Sequence, residues 1–215
     1  MAAISALSAT RRRFQCSAAA LIALLLAGCA SLAPPPLPGG LAPAPSYRDT
    51  IDLSGRLTVR YQKNGRNEAI HGSFTWTQAP QRTELILLSP LGQTVARIEV
   101  TPAAAILIQA NQPQQMAADV DALASQSLGW PLPVAGLRDW LQGFVATVNG
   151  QRQAVPRTPG AMVHSDGWRI QYTDWADSGG NAAARPKRID LERHGANGGN
   201  GADPVAIRIV IDNWH

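Results

Sequence analysis

Leu53-Ser54-Gly55-Arg56-Leu57-Thr58-Val59-Arg60-Tyr61 places apolar or small residues at every second position, with Arg56, Thr58 and Arg60 between them. A period of two is the mark of a strand with one buried face. Asn64-Gly65 follows, a dipeptide suited to a tight hairpin turn. Ile70, Gly72, Phe74 and Trp76 then alternate on the return strand. Working outward, Glu84–Leu88, Val95–Val100 and Ala105–Gln109 are short apolar runs separated by turn residues. Successive strands with tight connections predict an antiparallel meander. Three later segments alternate as well: Trp168, Ile170 and Tyr172; Ile189 and Leu191; and Val205 to Ile211.

The period changes once. Val120, Leu123, Ala124, Ser127 and Leu128 fall at helical spacing. Asp119 and Asp121 favour the helix start, and Gly129 stops it. Trp130-Pro131-Leu132-Pro133 suits neither regular helix nor central strand. Leu137–Leu141 predicts one or two further helical turns, closed by Gly143. Gly179–Ala184 and Gly195–Gly201 read as loops. The expected class is mainly β with a few helices covering the apolar face of one sheet. Short helices leave two outcomes open: a filled core, or an apolar cavity beneath them.

The N-terminus names a compartment. Arg11, Arg12 and Arg13 precede an apolar run from Ala18 to Ala27. That run is too short to span a bilayer and reads as a signal peptide. It ends in Leu26-Ala27-Gly28-Cys29, the pattern of a bacterial lipobox. Small residues fit the narrow protease site, and the Cys29 thiolate is the nucleophile that accepts a diacylglycerol chain. Residues 1–28 are therefore expected to be removed. Residues 29–46 form a lipidated, Pro-rich tether holding Pro34, Pro35, Pro36, Pro38, Pro43 and Pro45. Extended, it reaches roughly 50 Å at about 3.1 Å per residue. Residues 47–215 form the domain.

Composition excludes several functions. Hydrophobic residues make up 45% of the 215, enough for one sizeable core and too much for a disordered chain. The formal charge of +4 invites a nucleic-acid reading, but three of those charges leave with the signal peptide. The remainder carries 16 Lys and Arg against 15 Asp and Glu, so no basic stripe remains to follow phosphates. His71, His164, His194 and His215 show no metal-ligand spacing and read as surface residues. Asp174 and Asp177 have no evident base partner. Gly-x-Ser-x-Gly is absent, and Gly195–Gly201 lacks the Lys and helix of a phosphate loop. No enzyme, metal or cofactor is expected beyond a covalent lipid on Cys29.

One residue looks misplaced. Ser89-Pro90-Leu91-Gly92 has Ser at i, Pro at i+1 and Gly at i+3 of a type I turn. That puts Leu91 near the tip, where a polar residue suits better. Either Leu91 folds back onto the domain edge, or it probes a bilayer or an apolar partner. Burying a leucine side chain is worth roughly 1.5–3 kcal/mol.

Leu88-Ser89-Pro90-Leu91-Gly92-Gln93-Thr94-Val95-Ala96-Arg97-Ile98-Glu99-Val100-Thr101-Pro102 resembles the central motif of the LolB family of outer-membrane lipoprotein receptors. Leu128–Val134, Leu137–Gly143, Gly55-Arg56-Leu57 and Asp212-Asn213-Trp214 are similar to further family segments, in order, over about residues 51–214. Ser89 stands where the family often has Asn. The resemblance implies an incomplete antiparallel β-barrel with a helical lid over an apolar cavity. It implies a monomer, held by its lipid in the outer membrane and facing the periplasm. Ala30 after the cysteine, rather than Asp, resembles that address. The implied task is to accept lipoproteins from the periplasmic carrier LolA and insert their acyl chains into the inner leaflet of the outer membrane. Leu91 is then the membrane probe. Trp76, Leu85, Leu87, Ile98, Trp130, Leu132, Trp140, Leu141, Trp168 and Ile170 are the candidate cavity lining. The competing expectation is a non-catalytic envelope-assembly or structural lipoprotein with a filled β core.

Overall fold

A computed structural model describes residues 46–176, 184–193 and 204–215. The signal peptide, Cys29, residues 30–45 of the tether, Asp177, residues 179–183, His194 and the Gly195–Gly201 loop lie outside those residues. Among the described residues, twelve strands and two helices follow in chain order: β1 Ile51–Lys63, β2 Arg66–Ala79, β3 Arg82–Leu88, β4 Thr94–Val100, β5 Ala105–Gln109, β6 Gln115–Ala117, α1 Val120–Leu128, α2 Val134–Trp140, β7 Phe144–Ala146, β8 Arg152–Ala154, β9 Ala161–Ser165, β10 Trp168–Ala176, β11 Arg185–Arg193 and β12 Val205–Trp214.

Ten strands form one antiparallel sheet in the order β6-β5-β4-β3-β2-β1-β12-β11-β10-β9. The edge strands β6 and β9 do not pair with each other, so the sheet stays open. β7 and β8 form a separate two-stranded ribbon. The first hairpin is regular through all thirteen pairs, from Ile51 opposite Gln78 to Lys63 opposite Arg66. Asn64 and Gly65 both take positive φ, 53° and 73°, as a two-residue hairpin turn requires. The chain's last strand, β12, closes beside its first, with Leu57 opposite Ile209 and Val59 opposite Ile207.

Alternation sorts the two faces. Ile51, Leu53, Leu57 and Val59 of β1 are buried, as are Val205, Ile207, Ile209 and Ile211 of β12. The opposite face carries ion pairs laid across neighbouring strands. Arg56 meets Asp212 at 2.8 Å, Arg208 meets Asp190 at 2.7 Å, and Arg97 meets Glu84. Exposed pairs of this kind contribute little stability each and mark a solvated face.

The helices cover the apolar face. α1 buries Val120, Leu123 and Ala124, and α2 buries Val134, Leu137 and Trp140. Asp119 caps α1: its Oδ1 accepts from the backbone N–H of Asp121 at 2.9 Å and of Ala122 at 3.1 Å. Gly129 ends the helix in the left-handed region at φ 80°. Asp119→Ala removes the only side-chain acceptor of this helix start. We expect it to cost about 1 kcal/mol and to lower Tm by roughly 2–4 °C in thermal unfolding followed by circular dichroism.

Candidate functional site

The sheet and α2 enclose an apolar space lined on the sheet side by Leu57, Phe74, Trp76, Leu85, Leu87, Ile207 and Ile209. Leu132, Leu137 and Leu141 close it from the helical side. No polar atom faces it. Leu132 gets there because Gly129 ends α1 and the Pro131-Leu132-Pro133 link turns the chain back across the sheet. The space measures about 20 Å³, room for about one water molecule. Sites that hold drug-sized ligands measure some 300–1,000 Å³. The apolar space expected under the helices is present, and in this conformation it is nearly shut. The reason is geometric, since Leu132 of the link and Leu137 and Leu141 of the helical side border the same small space as the large side chains of the sheet.

The lining expected from the sequence divides in two. Trp76, Leu85, Leu87, Leu132 and Leu141 border the space. Ile98, Trp130, Trp140, Trp168 and Ile170 do not; they are buried elsewhere in the core. Ile98 sits on β4, and Ile170 on β10 is three strands away from β1. Alternation tells which face a residue occupies, not where on that face it lies. Leu57, Phe74, Leu137, Ile207 and Ile209 were missed. Their periodicity was visible, but the pairing of β12 with β1 that sets Leu57 beside Ile209, and the placing of the helix over them, were not.

Polar contacts also hold the cover in place. Arg138 of α2 donates through Nη1 to Thr83 Oγ1 at 2.7 Å and through Nη2 to the Ala79 carbonyl at 2.9 Å. Gln142 donates to the Arg48 carbonyl at 3.0 Å and accepts from the Arg48 N–H at 2.9 Å. The Asp121 carboxylate accepts from the Ala135 N–H at 3.0 Å, tying α1 to the start of α2. Burial, followed by repulsion from Asp119, raises the Asp121 carboxyl above the usual range against those backbone bonds. Beneath the cover, Tyr172 donates its hydroxyl to the Trp140 carbonyl at 2.9 Å. Burial pushes its phenol far up, so it remains a neutral donor.

At the β3–β4 turn the Gly92 N–H bonds the Ser89 carbonyl at 2.9 Å. The Ser89 N–H bonds the Gln93 carbonyl at 2.8 Å, and the Gln93 N–H reaches Ser89 Oγ at 3.3 Å. This frame leaves Leu91 87% exposed, the side chain in solvent rather than against the domain edge. Val95 beside it is also exposed. Gly72 of β2 sets the shoulder of the turn: a Cβ there would sit 2.3 Å from the Leu88 carbonyl.

The remaining polar residues stand apart from this site. His71, His164 and His215 are exposed. His71 Nδ1 lies 3.2 Å from Thr58 Oγ1. Asp174 lies 3.5 Å from Lys187 Nζ. Among the described residues, no three His, Cys, Asp or Glu side chains are grouped to hold a metal.

Residues 49–214 match the family model described as "Outer membrane lipoprotein LolB". The chain is 41% identical over 195 residues to the outer-membrane lipoprotein LolB of Cupriavidus pinatubonensis, covering 88% of this chain and 89% of that one. It is 40% identical over 191 residues to that of Cupriavidus necator, covering 88% and 90%. The Chromobacterium violaceum protein is 32% identical over 196 residues, covering 90% and 94%. Among solved structures, a LolA superfamily protein from Nitrosomonas europaea aligns at TM-score 0.41 and 8% identity, over 77% of this chain and 85% of that one. A DUF1329 family protein from Desulfovibrio piger aligns at TM-score 0.44 and 10% identity with the same coverage.

Proposed function

The chain belongs to the LolB family of outer-membrane lipoproteins, and from that premise we propose that it receives lipoproteins from the periplasmic carrier LolA and releases their acyl chains into the inner leaflet of the outer membrane. The observation that carries this reading is Leu91, held 87% exposed on a hydrogen-bonded turn. An apolar side chain fixed in water gains nothing for the fold; it gains when a bilayer receives it.

Energetics set the route. Burial yields about 0.8 kcal/mol per methylene, so exposing the three chains of a lipoprotein costs on the order of 30 kcal/mol. The chains must pass between apolar enclosures without meeting water. The chain has no nucleotide-binding motif to drive the step, so transfer runs downhill, from carrier to receptor to bilayer. The space under α2 is the acceptor. It opens by lifting α2 and the Leu132 link, which breaks the polar contacts of Arg138, Gln142 and Tyr172 and uncovers Val134, Leu137 and Trp140. In this reading Cys29 carries the lipid that anchors the chain.

The second reading, an envelope-assembly or structural lipoprotein with a filled core, is favoured by one observation, the 20 Å³ volume. A transfer experiment separates the two. The lipidated mature chain in phospholipid vesicles is mixed with a purified carrier–lipoprotein complex, and the vesicles are floated. A receptor moves the cargo into the floated fraction. A filled-core protein leaves it on the carrier.

A further inference from the structure

A groove of about 290 Å³ lies between the β2–β3 turn, the β4–β5 turn and the start of α2. Pro80, Thr83, Val100, Val120, Val134 and Arg138 are among its walls. Two elements run without a break from this groove into the closed apolar space. On α2, Val134 borders the groove, while Leu137 and Leu141 border the space. They form one stripe about 10 Å long at 1.5 Å per residue. On the inward face of β3, Thr83 borders the groove, and Leu85 and Leu87 border the space. At the groove end of both elements the Arg138 guanidinium bonds Thr83 Oγ1 and the Ala79 and Pro80 carbonyls.

From this continuity we infer that the groove is the portal through which an acyl chain enters, with Arg138 and Thr83 as its gate. The inference rests on the receptor reading and adds to it the point of entry. Charge agrees with the occupant. Arg82 at the rim is paired with Glu99 at 3.0 Å, and Arg138 is spent on neutral oxygens. The groove thus offers no unpartnered cation and suits a neutral, ester- or amide-linked hydrocarbon chain rather than an anion. Position agrees as well. Thr83 and Leu88 lie at opposite ends of β3, roughly 17 Å apart along the strand. Entry and the Leu91 turn are therefore at opposite ends of β3, which leaves a carrier docked at the portal clear of the turn tip.

The test places a tryptophan in the mouth. Ala135 is exposed on the groove wall, and its backbone bond to Asp121 survives substitution. Ala69→Trp, in a separate exposed groove near the β1–β2 hairpin, is the control. With the full lipidated chain in vesicles and a triacylated lipoprotein on the carrier, Ala135→Trp is expected to slow cargo transfer at least ten-fold. Ala69→Trp should leave the rate unchanged. A second measurement needs no variant: cargo with a photoreactive group in its acyl chains, flashed during transfer to the wild-type chain, should label the segments around Thr83, Val100 and Val134. Equal rates for the two variants, or labelling confined to the Leu91 end, overturns the portal and leaves the receptor intact. No transfer to the wild-type chain overturns both.

Discussion

Leu91→Glu should take cargo from the carrier at the wild-type rate and deliver little of it to vesicles. Leu91 is 87% exposed and the turn is held by bonds from Ser89, Gly92 and Gln93, none through the leucine side chain. Substitution at such a surface site changes stability by no more than about 0.5 kcal/mol. Thermal unfolding should therefore match the wild type. What changes is the encounter with lipid. Losing the leucine removes roughly 1.5–3 kcal/mol of burial, which weakens membrane engagement about ten- to hundred-fold. The carboxylate adds a desolvation cost of its own. Leu91→Phe restores an apolar tip and should restore delivery. Cargo is followed in two fractions, bound to the receptor and inserted in vesicles resistant to alkaline wash. Delivery by Leu91→Glu at the wild-type rate would remove the probe from the mechanism.

How far the sequence spoke depended on the range of the interaction concerned. β1 and β2 were legible because their alternation is local and Asn64-Gly65 joins them within two residues. α1 was legible because Asp119 and Gly129 act on backbone groups within four positions of themselves. The exposure of Leu91 was readable as a pair of alternatives, since a turn signature says where the tip is but not whether the domain edge rises to meet it. β7, β8 and β9 were not anticipated as strands. Phe144–Ala146 and Arg152–Ala154 are three residues each, too short for periodicity to register, and they exist through pairing with each other. The cavity was half legible for a related reason. Its wall is assembled from β1, β2, β3, β12 and α2, and Leu57 meets Ile209 across 152 positions of sequence. The same holds for its fastening, since Arg138 reaches back 55 residues to Thr83. Pattern identifies apolar faces, and only topology decides which of them surround one point.

Gly55→Ala tests that long-range seam. Gly55 sits where β1 slips register against β12, at the irregularity between Ser54 and Gly55. It lies opposite Ile211 on one side and Phe74 on the other. A Cβ there would fall 2.1 Å from the Val210 carbonyl, 2.9 Å from the Phe74 ring and 3.1 Å from Ile211 Cα. Two of these three neighbours are backbone, and β12 is held between β1 and β11, so the strand cannot yield alone. Overpacking of this kind costs about 1–3 kcal/mol, and the main-chain clash argues for the upper end. The expected fall in Tm is roughly 4–10 °C. The functional effect follows from what lies one step along the strand pair. Phe74, Leu57 and Ile209 all line the apolar space, so moving β12 or tilting the Phe74 ring deforms its floor. Cargo held by the folded variant, measured below its own Tm, should dissociate faster than from the wild type. A Tm within about 1 °C of wild type would mean that the seam gives way freely and that Gly55 is not what keeps β1 and β12 in contact.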